Sequence, residues 1–195
     1  MHRKLITCKV FQDALEFLDR HRHIPRVRAR CLPAHLHLRP NELRKKLVAE
    51  ISAARVKRED VCCLYGECFP GIDETLQKMS VQRVPCRNCY ETLVGRRKFR
   101  RVLEEHLGTF FLEKELILNF DTYCWYPMEL DDPMLRSAYF EHYRRAVYIR
   151  QPLDPDLKGI ARQIARRLDL ALTVVDADYS DLDADLNRTL GAMVH

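Results

Sequence analysis

Apolar positions change period along the chain: short continuous runs alternate with stretches in which they recur every three or four residues. Lys4 to Thr7 is too brief for a helix and reads as a first strand that ends at Cys8. Phe11, Ala14, Leu15 and Leu18 follow at helical offsets and form one apolar stripe. That helix is predicted to end near Arg20-His21-Arg22-His23, where cations suit the carboxyl-terminal dipole, and Pro25 cannot continue it. Val27 to Leu32 reads as a second strand, stopped by Pro33. After a loop over Pro33-Ala34-His35-Leu36-His37, Pro40 opens a second helix with Leu43, Leu47 and Ile51 on one face.

Val61 to Tyr65 is a continuous apolar run, as in a strand covered on both faces, and breaks at Gly66-Glu67-Cys68-Phe69-Pro70-Gly71. It is the expected central strand. A helix from Asp73 to Met79 and a strand from Val81 to Val84 lead to Pro85-Cys86-Arg87-Asn88-Cys89. A basic amphipathic helix then runs to His106, with Asn88 as its cap. Further on come a strand at Thr109 to Leu112, a helix at Met134 to Arg144 and a strand at Val147 to Arg150. A helix at Asp156 to Leu168, with Ala161, Ile164, Ala165 and Leu168 inward, precedes a last strand at Leu172 to Val175. Leu116 to Pro127 is aromatic and fits neither period, and no element is assigned after Val175.

Strands separated by helices of this length predict an α/β fold, a mostly parallel sheet with helices on both faces in a three-layer sandwich. With 195 residues, the chain is read as a single domain over 1–195. Its net charge of +5 is spread along the sequence and does not by itself indicate a nucleic-acid partner. No apolar run reaches the roughly 20 residues that span a bilayer, and no secretory signal is apparent, so a cytoplasmic protein without a membrane partner is expected. In that compartment the eight cysteines are better read as core residues, metal ligands or redox groups than as disulfides.

Cys8, Cys68 and Cys89 each stand just beyond a predicted strand, on the side where parallel sheets bind ligands. Thiolates favour soft ions, so these three are the expected ligands of a transition metal, zinc or alternatively a [4Fe-4S] cluster. On zinc the fourth ligand is expected to be His37, or a substrate thiol or water held for activation. Tyr65 and Gly66 shape the binding loop: the glycine allows close backbone approach and the phenol offers a hydroxyl to a bound group. The ligands lie about 60 and about 20 residues apart, unlike the close pairs of zinc fingers, so the fold must assemble them. Cys31, Cys62, Cys63 and Cys124 are assigned to packing.

Two other function classes are carried. Cys86 and Cys89 have the redox spacing, and a metal-free dithiol or thiol-transfer enzyme would use Cys89 as nucleophile and Cys86 as resolver. Arg96, Arg97, Lys98, Arg100 and Arg101 form the densest basic cluster, read first as a solvated helix face. The alternative, a module binding nucleic acid or an acidic partner, lacks any accompanying motif, and nucleic acid is not the expected partner. Phe120 to Tyr126 is read as a lid or as a contact in a homo-oligomer.

Five matching pieces occur in order: Ile6-Thr7-Cys8; Leu32-Pro33-Ala34-His35-Leu36-His37 with Pro40; Leu64-Tyr65-Gly66-Glu67-Cys68; Cys89 with Gly95; and Gly108-Thr109-Phe110-Phe111-Leu112. In these the chain resembles the domain of unknown function 1638 proteins along nearly its whole length. The resemblance implies a role in one-carbon metabolism, with a corrinoid protein or a methyltransferase as partner. For an enzyme it implies transfer of a methyl or sulfur group, with the small-molecule substrate left unspecified.

Overall fold

The structure is a computed structural model that describes residues 3–22 and 27–192. The chain divides into two compact units, Met1–Leu93 with Tyr179–His195, and Val94–Asp178. Both are built from parallel strands and helices. The parallel α/β character is as predicted, but the strands form two sheets, one of four and one of three, where a single sheet was expected.

In the first unit β1 (Arg3–Cys8), β2 (Arg28–Leu32), β3 (Asp60–Leu64) and β4 (Gln82–Arg83) pair in parallel in the order β2-β1-β3-β4. The inner strands β1 and β3 are covered on both faces: Leu5, Ile6, Cys62, Cys63 and Leu64 are all fully buried. This is why Val61 to Tyr65 lacks the alternation of a half-exposed strand. A 3-10 turn, Lys9–Phe11, leads into α1 (Gln12–Arg22), and Phe11, Ala14, Leu15 and Leu18 are buried as their spacing predicted. His23 and Pro25, assigned to the end of this helix, lie outside the described residues. Pro33 to His37, expected as a loop, contributes instead to a 3-10 helix, Ala34–Leu38.

Helix α2 (Pro40–Val56) carries Pro40 in its first turn and packs Leu43, Leu47 and Ile51 against Ile6, Leu32, Cys63 and Tyr65. Each such side chain removed from water contributes about 1.5–3 kcal/mol, so this layer anchors the α2 face of the sheet. Helix α3 (Ile72–Lys78) joins β3 to the two-residue β4, shorter than the predicted Val81–Val84 strand.

The predicted helix from Cys89 to His106 is two helices, α4 (Cys89–Val94) and α5 (Arg96–Glu105). Gly95 at φ 86° and ψ 137° stands between them, a conformation no helix accepts. At the end of the chain α9 (Ser180–Ala192), missed in the sequence, rejoins the first unit. It buries Leu182, Leu186 and Leu190, and Tyr179 sets its ring edge-on to Phe17 at 5.7 Å.

In the second unit β5 (Thr109–Leu112), β6 (Arg145–Arg150) and β7 (Ala171–Asp176) are parallel and lie in chain order. Between β5 and β6 come α6 (Lys114–Leu118), a π-helical turn over Asp121–Trp125, and α7 (Pro133–Phe140). Thus the unassigned aromatic segment is helical, and the helix predicted to reach Arg144 stops at Phe140. Helix α8 (Lys158–Arg167) buries Ala161, Ile164 and Ala165 against Ala146 and Tyr148, with Leu168 just beyond it. Among the described residues no helix is long and apolar enough to cross a membrane.

Candidate functional site

The chain leaves β1 to build β2 on one side of it and later passes to the other side for β3 and β4. The strand order therefore reverses between β1 and β3. At such a switch point the connections leave in opposite directions and open a crevice at the carboxyl ends of the strands. Cys8 is the last residue of β1, and Tyr65-Gly66-Glu67-Cys68 directly follows β3. Thr7 and Leu64 are register partners there, and the buried Thr7 hydroxyl donates to the Leu64 carbonyl at 3.0 Å.

Tyr65 is 2% exposed, and its hydroxyl has no hydrogen-bond partner among the described residues. Burial pushes its pKa well above the usual phenol range, and the sulfurs of Cys8, Cys63, Cys68 and Cys31 add to the rise in that order. Cys8 and Cys68 are half-buried and pack against the core shared by Tyr65, Cys63 and α2.

The loop after β4 closes on the loop after β3. Glu67 N donates to the Arg87 carbonyl at 3.1 Å, and Val84 N donates to the Cys63 carbonyl at 2.8 Å. A Cβ on Gly66 would stand 3.0 Å from the Arg87 oxygen and 3.1 Å from the Asn88 Cα, so only glycine permits this approach. Asn88 Oδ1 accepts from Glu91 N at 2.8 Å and caps α4, as predicted, and Cys89 is the first residue of that helix. Cys89 is accordingly set beside Gly66 through the Asn88 backbone.

Residues 31–186 match the model of the family described as Protein of unknown function (DUF1638). The chain belongs to this family. No curated protein and no solved structure matches it. In this DUF1638 member the matched span holds His37, Tyr65, Gly66, Cys68 and Cys89, and Cys8 precedes it.

Of the residues singled out in the sequence, Cys8, Tyr65, Gly66 and Cys68 come together at the switch point, and Cys89 borders it. As the side chains stand, no group of three or more His, Cys, Asp or Glu among the described residues could hold a metal ion. His37 is exposed, and its Nδ1 lies 2.6 Å from the Ala34 carbonyl in its own 3-10 turn.

Cys62 and Cys63 are fully buried packing residues and Cys124 is buried in the second unit, whereas Cys31 is half-buried. Cys86 is 6% exposed, burial pushes its pKa up to about 11, and Thr92 donates a hydrogen bond to its sulfur at 3.1 Å. A thiol so held is a poor resolver. The DUF1638 crevice also contains a residue that sequence reading passed over, Arg83. An arginine inside the predicted strand Val81–Val84, directly before Val84, was the signal, since such a side chain is buried only when partnered.

Proposed function

We propose that this protein binds a thiophilic transition metal, zinc or a [4Fe-4S] cluster, in the crevice between the carboxyl ends of β1 and β3. Cys8, Cys68 and Cys89 supply the thiolates. The observation that carries this reading is the buried Tyr65 hydroxyl, which has no hydrogen-bond partner among the described residues and belongs to a core against which Cys8 and Cys68 pack. A buried hydroxyl without a partner costs about 1–3 kcal/mol, and a thiolate formed beside it on metal binding would accept its proton in a hydrogen bond.

Thiolates are donors of the type such an ion prefers, although as the side chains stand the three sulfurs do not form a group that could hold it. Burial holds the Cys68 thiol above its ordinary 9.0, so without metal it is protonated at neutral pH. Binding must then displace protons and turn the sulfurs toward one another, and affinity rises with pH. A bound ion would supply Lewis acidity at whichever coordination position the three thiolates leave open. The chain's own residues would hold the ion, and Gly66 would keep the two cysteine loops in contact. From the family resemblance we extend the proposal to methyl-group transfer in one-carbon metabolism, with a corrinoid protein or a methyltransferase as partner.

The test is metal analysis and an absorption spectrum of anaerobically purified protein, followed by titration with zinc or cobalt(II). The expected result is stoichiometric metal that is lost in Cys8→Ser, Cys68→Ser and Cys89→Ser and kept in Cys62→Ser. A chain that neither retains metal nor takes it up on titration or iron–sulfide reconstitution would overturn the proposal.

A further inference from the structure

We propose, independently of the metal reading, that the free edge of β2 and the groove beside it form a docking site for an extended segment of another protein, which adds to the sheet as a further strand and lays basic side chains against α1.

The strand order β2-β1-β3-β4 leaves one side of β2 without a neighbouring strand among the described residues, and Arg28, Ala29 and Arg30 are all exposed. An edge of this kind presents unpaired backbone N–H and C=O groups, the template on which an extended peptide is added. Successive side chains of a strand point to opposite faces. Arg30 pairs with Glu50 of α2, Arg28 pairs with Glu59 just beyond that helix, and Leu32 packs beneath it, so these three lie on the α2 face. Ala29 and Cys31 stand on the other face, toward α1, and are too small to fill the space beneath it. A groove of about 410 Å³ results, with Leu15, Val27, Ala29 and Cys31 as its apolar lining and Glu16 and Asp19 along its α1 wall.

The charges select the occupant. Glu16 is shared with Arg20 one turn on, whereas Asp19 makes no ion pair with a described residue. Arg30 also borders the groove, but Glu50 holds its guanidinium. The groove therefore suits lysine or arginine, whose alkyl stem packs on the apolar lining while the cation reaches the rim. A residue between two such cations would lie on the face of Arg28 and Arg30, where a further base is repelled. A second copy of this chain is disfavoured on the same ground: antiparallel pairing of β2 with itself about Ala29 or Arg30 sets arginine against arginine. The fitting occupant is a strand with bases at every other position and none between.

The test is selection on the full chain from a positional-scanning library of seven-residue peptides, followed by titration of the selected peptide by fluorescence anisotropy and by hydrogen exchange. The expected result is enrichment of lysine or arginine at alternate positions and slower exchange of the Arg28–Leu32 amides in the complex. Asp19→Asn should weaken binding about 2–5-fold, the size of one exposed ion pair. Ala29→Phe, which fills the groove, should abolish it.

A library from which nothing is enriched would overturn the proposal, as would binding that leaves the β2 amides unprotected, or an Ala29→Phe chain that binds as the wild type does. If Ala29→Phe fails to fold, Asp19→Asn carries the test, and unchanged affinity there overturns the role of the groove. Concentration-dependent dimerisation that protects the same amides would assign the edge to a second copy and overturn the partner segment.

Discussion

Tyr65 is where local stability and the proposed function oppose each other. Its ring fills the core beneath α2, while its hydroxyl is buried without an acceptor. Tyr65→Phe keeps the ring and removes the unsatisfied group, so metal-free protein should gain about 1 kcal/mol in urea unfolding. The same change should weaken cobalt or zinc binding several-fold, because a thiolate loses its donor. Loss of stability together with unchanged metal affinity would mean that the hydroxyl serves packing only. The cysteines of this site were legible in the sequence because Cys8 and Cys68 stand where apolar runs give way to turn residues. Arg83 was not: its place in the crevice depends on the register of β4 against β3, and no local period encodes which strands pair.

Among the elements, α4 matters most, since it presents Cys89. Its amino end is fixed by the Asn88 cap and its carboxyl end by Gly95. Asn88→Ala removes the acceptor of the Glu91 N–H and should cost about 1 kcal/mol, read as a lower urea midpoint at unchanged slope. Gly95→Ala should cost about 1–3 kcal/mol, because φ 86° is a sparsely populated conformation for any residue with a Cβ. The two losses should add within experimental error if the residues act on opposite ends independently. The sequence showed that helix lay between Cys89 and His106, since its apolar spacing persists across the break. It did not show the break, because an isolated glycine also occurs inside helices and only its φ distinguishes the cases. Helix α9 was overlooked although Leu182, Leu186 and Leu190 recur at spacing four, which was enough to find it.

For the whole molecule, the distribution of strands between two sheets explains where a site can form. The first sheet reverses its order between β1 and β3, whereas the second runs β5-β6-β7 without reversal. Alternating periods revealed parallel α/β architecture but could not divide the strands, because every strand carries the same apolar signal whichever sheet it joins. The second unit nonetheless holds a group that should govern pH dependence. Glu113, 3% exposed, follows β5 and caps α6, accepting from Glu115 N and Leu116 N at 2.8 Å each. Burial raises its pKa from 4.5 to about 7, opposed by those two hydrogen bonds and reinforced by the carboxylates of Glu115 and Asp154. Between these values the folded state keeps a proton that the unfolded chain has released, so stability must fall as pH rises. The contribution is complete below about pH 4.5 and gone above about pH 7, a span of about 3 kcal/mol at most. The chain's one tryptophan, Trp125, lies in this unit with the Arg167 guanidinium 3.9 Å above its ring, so its fluorescence reports unfolding here. Urea midpoints read from Trp125 should decline from pH 5 to pH 8 in the wild type. Glu113→Gln, which keeps an oxygen for the cap but cannot ionise, should flatten that decline. An equal slope in both proteins would assign the pH dependence to other groups and leave Glu113 a helix cap alone.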